Sequence, residues 1–312
     1  MASSTSGMTR KKKAVSTRKS TSRNRTGQGS IQRFLKSAAA SALAAFGVAS
    51  CAINPQLRDW SGLEQVLARL EWPQVPSASA PSAPAPVDGY VQTSFAQCPQ
   101  FFPGKPPIVP AAYTQRELCF SAFAILHSGQ TKTPVFVAQR LNRRALQAGQ
   151  GLKRTDRFYA EARLPSSERA ELADYRGSGY SRGHMAPAGD MSSEQGMAQS
   201  FSLANMVPQN QVHNGGPWNQ IEGDTRKYVL RASGDVYVFT GPVYAGRPAA
   251  IGTGRVAVPS HLFKVVYDAT TRRSWVHWQA NDAATKAGAP ITYEEFVRRT
   301  GLHLLPVLTP AS

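Results

Sequence analysis

Acidic residues are scarce in this sequence, and none occurs in its first 50 residues. The 312-residue chain has 19 Asp or Glu against 36 Lys or Arg, and its formal net charge is +17. Ten of the basic residues lie in residues 1–50, so this terminal segment carries more than half of the excess charge. A surplus of this size predicts an anionic partner, such as nucleic acid, a membrane or an acidic polymer.

Cysteine is also rare, with three residues in the whole chain. The cysteines lack the paired spacing of a zinc site and the sequence has no HExxH motif, which argues against a zinc hydrolase. If the protein is exported, Cys98 and Cys119 are expected to form one disulfide bond. Two buried free thiols are the alternative interpretation.

The hydrophobic runs of the sequence are short for a full membrane span. A basic stretch, residues 1–33, precedes an apolar stretch rich in small residues, 34–52, and this order is typical of a signal sequence or a membrane anchor. The residues around Cys51 also resemble a lipobox, in which Cys51 would carry the lipid. We therefore expect export to the periplasm or cell envelope, with secretion as the alternative.

The remaining sequence changes composition twice. Residues 53–96 combine a short amphipathic helix with a Pro/Ala/Ser linker, and a globular domain is expected over residues 97–306. Its strands and helices alternate irregularly, which predicts an α+β fold with a central antiparallel sheet flanked by helices. The expected strands are 133–138, 201–207, 236–241, 262–267 and 275–279, and the expected helices are 217–231 and 293–299.

The segment Tyr180–Asp190, YSRGHMAPAGD, contains the first candidate site residues. Arg182 and His184 are two positions apart, so on a strand their side chains point to the same face. An Arg can bind phosphate oxygens while a neighbouring His transfers a proton. Alone, the triplet is a weak signal, because a single His is more often structural than catalytic.

A second set of polar residues strengthens this hypothesis. Asn214, Trp218, Glu222 and Arg226 recur every four residues, which places them along one side of a helix. Trp218 is interpreted as core packing, and an exposed Glu222–Arg226 ion pair is the simpler alternative for the others. Pro217 suits the first turn of a helix, so Asn214 is expected just before that helix.

Together these motifs resemble the DNA/RNA non-specific endonuclease family, the ββα-metal nucleases of the Serratia nuclease and endonuclease G type. The family's Asp-Arg-Gly-His motif corresponds to residues 181–184, and its Asn-x-x-Pro-Gln motif to residues 205–209. The spaced run that starts at Asn214 and a Thr-Gly-Pro-x-Tyr element at 240–244 also match. The resemblance extends over roughly residues 97–306, and several motifs in the same order make it specific.

The resemblance implies a ββα-metal fold and a metal-dependent endonuclease that hydrolyses phosphodiester bonds of DNA and RNA. It implies His184 as the general base and Asn214 as the single protein ligand of Mg²⁺, with Mn²⁺ as an alternative metal. Glu222 would orient metal-bound water, and Arg182 and Arg226 would hold the phosphate. Asn205 would help to order this catalytic group.

The match to the family is incomplete or ambiguous at two positions. The family places a further Arg on the phosphate, and both Arg154 and Arg157 are candidates, with Arg154 preferred. A solvated basic loop is the alternative for either residue. Ser181 stands where the family usually has Asp, which removes a carboxylate close to the metal and predicts weaker metal binding or a lower rate.

Two other functions would each explain part of the sequence. A membrane-tethered protein could keep the nuclease fold and bind nucleic acid with little catalysis, and Ser181 and the basic tail would allow this. A structural envelope protein would explain the first 90 residues but not the polar residues that match the family motifs. Neither the oligomeric state nor a preference between DNA and RNA follows from the sequence.

Overall fold

The computed structural model describes residues 89–112 and 114–306. The strands of this part, in chain order, are β1 Tyr90–Gln92, β2 Ile108–Pro110, β3 Gln115–Cys119, β4 Ala124–Ser128, β5 Thr133–Leu141, β6 Tyr180–His184, β7 Met206–Asn210, β8 Val236–Val243, β9 Ala250–Ile251, β10 Val256–Ala257, β11 His261–Asp268 and β12 Arg273–Ala280. The α-helices are α1 Arg143–Ala148, α2 Leu172–Tyr175, α3 Glu194–Ser200, α4 Gln211–His213, α5 Asn219–Arg231 and α6 Tyr293–Thr300.

A six-stranded antiparallel sheet lies at the centre of this domain, in the order β12-β11-β8-β5-β4-β3. Valine and phenylalanine dominate its inner strands, as expected for residues that pack well on a pleated surface. All residues of β11 from Leu262 to Asp268 are buried. Since both sides of such a strand are covered, its sequence is almost continuously apolar. The expected α+β fold with a central antiparallel sheet is confirmed.

Alternate residues of the central strands pack into different hydrophobic clusters. Phe136 and Phe263 belong to a cluster that includes Phe296 of α6. Leu262 belongs to a second cluster, which includes Trp218 and Ile221 at the start of α5. This alternation follows from the two-residue period of a strand, and it places the segment around α5 against the second side of the sheet.

The segment that packs on this second side is a hairpin followed by a helix. Strands β6 and β7 pair antiparallel, and Ser181 lies opposite Gln209. The chain then enters the short helix α4 and, after one wide turn, the long helix α5. His184 ends the first strand of this ββα element, and Asn214 lies at the beginning of its helical half, as predicted.

The expected strand at 201–207 is wrong for most of its length. Leu203–Asn205 forms a short 3-10 turn, and strand β7 begins only at Met206. The hydroxyl of Ser202 accepts a hydrogen bond from the amide of Ala204, and the Asn205 side chain also bonds to backbone. Such local side-chain bonds compete with strand pairing, which explains the turn.

Two other predicted boundaries differ from the structure. Strand β8 continues through Gly241 and Pro242 to Val243, although it was expected to end at Gly241. Beyond Thr240 it pairs only with β11, so the missing amide of Pro242 costs no bond to β5. Helix α5 begins at Asn219 rather than 217, because a wide turn with non-helical geometry at Gly216 precedes it.

The expected disulfide between Cys98 and Cys119 is confirmed, with the two Cα atoms 5.8 Å apart. The predicted tail, apolar segment, amphipathic helix and linker all lie outside the described residues. Within residues 89–112 and 114–306, no helix combines the length and the apolar character that crossing a membrane requires.

Candidate active site

The ββα element encloses a cavity of about 320 Å³ in which most of the predicted site residues meet. We call it the His184 cavity. Its polar or charged lining residues are Arg154, His184, Asn214, Asn219, Glu222 and Arg226. The strand half of the element supplies His184, and the helical half supplies the last four.

The His184 ring is held between aromatic side chains. It packs edge-on against Phe201, with ring centroids 5.1 Å apart, and Phe158 lies on another side at 5.8 Å. Burial, with a further contribution from the Arg154 and Arg182 guanidinium groups, lowers the pKa of His184 to about 3. The imidazole is therefore neutral at any physiological pH. Its Nε2 is buried and has no hydrogen-bond partner among the described residues.

Asn205 fixes the chain that follows His184. Its side-chain oxygen accepts a hydrogen bond from the amide of Ala186, and its side-chain nitrogen donates to the carbonyls of Ala186 and Ser200, each at 2.9 Å. Asn205 is fully buried and these bonds occupy its amide. It therefore orders the site through the backbone and does not line the cavity.

The neighbouring strand β7 explains why residue 183 is a glycine. A Cβ at this position would overlap the side chain of Gln209, which lies over the glycine. The Gln209 side-chain nitrogen is in turn 3.1 Å from Nδ1 of His213. Only glycine allows this close approach, so the Arg-Gly-His spacing has a packing reason as well as a chemical one.

Asn214 owes its position to the turn before helix α5. The Asn210 side chain accepts hydrogen bonds from the amides of Val212 and His213, and thereby caps the short helix α4. Asn214 itself has helical backbone angles. As predicted, it lies before the long helix and not within it: it follows α4 directly and is the first residue of the wide turn that leads into α5.

Glu222 projects into the same cavity from the first turn of α5. Burial raises its pKa to about 7, while Lys264 opposes this rise, Asp190 adds to it and Arg226 opposes it. Lys264 lies on β11, is 1% exposed, and donates a hydrogen bond of 2.8 Å to the hydroxyl of Thr240. Its ammonium lies 5.4 Å from the Trp218 ring. A buried cation thus supports the buried carboxylate from the sheet side.

Arg226 pairs with Asp190 rather than with Glu222. Its Nη1 donates to the Asp190 carboxylate at 3.0 Å, and Asp190 is 7% exposed. The simpler expectation of a Glu222–Arg226 pair is therefore wrong. The ion pair holds the guanidinium beside the cavity, and one of its nitrogens remains available for an anion.

Arg182 and Ser181 line an adjoining cavity of about 610 Å³, which we call the Arg182 cavity. Arg154 and Asn214 line both cavities. The Arg154 guanidinium also pairs with Asp156 at 2.8 Å and lies 5.1 Å from the Phe201 ring. Arg157 lines neither cavity, so the structure favours Arg154 of the two candidates.

Sequence reasoning missed three residues that position the site: Lys264, Asp190 and Asn281. A lysine inside the apolar strand sequence HLFKVVYD was a visible signal for the first, and Asp190 ends the segment already singled out. Asn281 bonds through its side chain to the backbone of Asn210, Pro208 and Pro259, and so attaches β7 to the rest of the domain. Nothing in the local sequence indicated that role.

Oxygen donors in the His184 cavity fit a hard divalent cation. Asn214 offers an amide oxygen and Glu222 a carboxylate, both suited to Mg²⁺. Among the described residues, no three His, Cys, Asp or Glu side chains come together as a metal site.

Comparison with known proteins supports the same interpretation. A nuclease named EXOG, mitochondrial, from Danio rerio is 41% identical over 154 residues, which are 46% of this chain and 44% of the relative. Nuclease C1 from Cunninghamella echinulata var. echinulata is 36% identical over 157 residues, 46% of this chain and 62% of that protein. This chain therefore spans about half the length of these curated relatives.

A solved structure is similar as well. The crystal structure of the complex between EndoG and its inhibitor EndoGI matches with a TM-score of 0.57 and 25% identity, over 67% of this chain and 92% of that chain. The family model described as DNA/RNA non-specific endonuclease matches residues 107–303. The resemblance predicted from the motifs is confirmed, and this chain belongs to the DNA/RNA non-specific endonuclease family.

Proposed function

We propose that this protein is a metal-dependent, sugar-nonspecific endonuclease that hydrolyses phosphodiester bonds of DNA and RNA in the His184 cavity. The observation that carries the proposal is the meeting of His184, Asn214, Glu222 and Arg226 around one small cavity. A neutral imidazole, an amide oxygen, a carboxylate and a guanidinium are the groups that phosphodiester hydrolysis with a divalent cation requires.

His184 acts as the general base in this proposal. Its pKa of about 3 keeps the ring unprotonated, so a ring nitrogen accepts a proton from a water that attacks phosphorus. The low pKa also makes the free imidazole a weak base. A bound phosphate dianion or monoanion beside the ring raises this pKa, because a nearby negative charge favours the imidazolium.

The helical half of the element binds the phosphate and the metal. Asn214 would hold Mg²⁺ or Mn²⁺, and the cation would supply positive charge against the negative charge that develops on the leaving oxygen. Glu222 would orient water beside such a cation, and Arg226 and Arg154 bind phosphate oxygens. Asn205 acts as a positioning residue, since its amide bonds only to backbone.

Digestion of plasmid DNA and of RNA by the full chain tests this function. We expect cutting of both substrates with Mg²⁺, no cutting with EDTA, and about 10²- to 10⁴-fold less cutting by His184→Ala. His303→Ala is the matched control, since that histidine lies in the isolated bridge to Ile108, away from this cavity. Binding without cutting across several divalent metals would favour the alternative of a catalytically weak binding protein.

The predicted export and membrane attachment remain proposals. The Danio rerio relative is named mitochondrial, and the N-terminal segment lies outside the described residues. Fractionation of cells that express the full chain, with Cys51→Ser as a lipidation control, tests the localisation. Recovery of the intact chain from the soluble cell interior would contradict export.

A further inference from the structure

The Arg182 cavity contains residues, such as Leu172 and Arg176, to which the proposed cleavage at the His184 cavity assigns no role. Its 610 Å³ lies within the range of about 300–1,000 Å³ typical of small-molecule sites. Three arginines line it, Arg154, Arg176 and Arg182, against one carboxylate, Asp156. The positive excess fits an anionic ligand.

Two of these arginines have no carboxylate partner among the described residues. Arg154 pairs with Asp156, whereas Arg176 is exposed and takes part in none of the ion pairs of residues 89–112 and 114–306. Arg182 packs its guanidinium over the Phe158 ring at 4.0 Å. Both cations are therefore available to phosphate, and a guanidinium held flat on a ring also offers its other side for stacking.

The rest of the lining combines the polar side chains of Ser181, Gln211 and Asn214 with apolar and aromatic ones. Leu172, which begins helix α2, is 40% exposed at the cavity. Tyr180, Tyr175 and Phe158 complete this surface. The hydroxyl of Tyr175 is buried and lacks a hydrogen-bond partner in the described part of the chain. Flat apolar groups interleaved with arginines match a nucleobase attached to a phosphate.

The two cavities adjoin at Arg154 and Asn214, which line both. A strand whose scissile phosphate lies in the His184 cavity therefore places its neighbouring nucleotide at the Arg182 cavity. A base can enter such a concave site only when it is unpaired, because pairing and stacking cover its edge and both faces in a duplex.

We propose that the Arg182 cavity is a subsite for the unpaired base and phosphate of the nucleotide next to the cleaved bond, with Leu172 and Arg176 as its specificity-determining residues. The proposal rests on the proposed function and adds a preference for single-stranded substrate. It makes the enzyme bind a single strand more tightly than a duplex of the same backbone charge.

Equilibrium binding to the full chain carrying His184→Ala tests the subsite separately from cleavage. The probes are fluorescent oligonucleotides of about 12 nucleotides, within the usual site size for single-strand binding: a thymidine strand, an abasic strand of equal charge, and a hairpin duplex. The test variant adds Leu172→Ala and Arg176→Ala, both at exposed positions. The control adds Arg144→Ala, which removes an exposed arginine that lines a different cavity.

We expect the test variant to bind the thymidine strand about 10-fold more weakly, the size of the apolar contact that Leu172 loses when it no longer packs against a base. It should bind the abasic strand and the duplex within about 3-fold of its parent, a loss that one phosphate contact explains. The control should change all three affinities by the same small factor. Equal losses on all probes, or no loss on the thymidine strand, would overturn the subsite. Failure of the proposed function would instead show as absent cleavage by the wild-type chain, whatever these affinities are.

Discussion

The two halves of the ββα element hold their key residues in similarly buried positions, yet burial helps one and opposes the other. On the strand half, it keeps His184 neutral, which is the form that a general base needs. On the helical half, it also favours the neutral form of Glu222, although a carboxylate is required there. The difference teaches that desolvation and nearby arginines act together to keep the base neutral, whereas the carboxylate needs neighbouring cations to oppose its desolvation.

Those cations come from outside the helix that carries Glu222 or from its next turn. Lys264 approaches from the central sheet, and Arg226 lies one turn further along α5. A bound metal adds a third positive charge and stabilises the carboxylate further. The strand half has the opposite arrangement, because Arg154 and Arg182 both disfavour a charged imidazole.

Removal of the Glu222 carboxylate has the largest expected effect on the helical half of the element. We expect Glu222→Ala to lower cleavage and Mg²⁺ affinity about 10- to 100-fold, as loss of a group that orients metal-bound water does. Metal titrations of the cleavage rate measure both effects. Asp224→Ala is the matched control on the same helix, since Asp224 is exposed and pairs only with Lys227. Equal effects of the two substitutions would show that Glu222 has no special role.

The opposite pKa shifts predict how stability depends on pH without metal. Glu222, with a pKa raised from 4.5 to about 7, contributes stability that is full below pH 4.5 and lost as pH rises through about 7. His184, with a pKa lowered from 6.5 to about 3, contributes stability that is full above pH 6.5 and lost as pH falls through about 3.

The two shifts act in opposite directions between about pH 5 and pH 6.5, so a comparison with Glu222→Gln, whose amide does not ionise, isolates the carboxylate. We expect the melting temperature of the wild-type chain in EDTA, taken relative to that of Glu222→Gln, to fall by about 3–8 °C between about pH 5 and pH 8, and saturating Mg²⁺ should reduce this fall. Thermal unfolding followed by circular dichroism measures the change. A difference between the two chains that stays constant or rises over this interval would contradict the pKa assigned to Glu222.

The smallest expected effect concerns Ser181, which lines the Arg182 cavity together with Asn214. Ser181→Asp adds a negative charge near the metal, and we expect Mg²⁺ affinity to rise about 2- to 5-fold, since ligand charge strengthens cation binding. Calorimetric titration with Mg²⁺ measures it, and Ser181→Asn provides a neutral control of similar size. If Ser181→Asn raised the Mg²⁺ affinity as much as Ser181→Asp did, the effect would come from the shape of the side chain and not from its charge.

Much of the candidate site could be predicted because its residues are close in sequence. Arg182 and His184 share one strand, and Asn214, Glu222 and Arg226 follow one another at helical spacing, so local periodicity brings each set together. The wide turn at Asn214–Trp218 escaped prediction, since the geometry of Gly216 depends on how α4 and α5 pack. The 3-10 turn at Leu203–Asn205 escaped as well, because the bonds of Asn205 join it to residues up to 19 positions away.

The sequence by itself determined the family, four of the six central strands in outline and the chemical types of the site residues, because motifs and alternation are properties of short segments. Only the tertiary structure decided that Arg226 pairs with Asp190, that Lys264 supports Glu222 across the sheet, and that Arg154 rather than Arg157 reaches the cavities. These contacts join residues distant in the chain, and their energies depend on burial, which no local pattern contains.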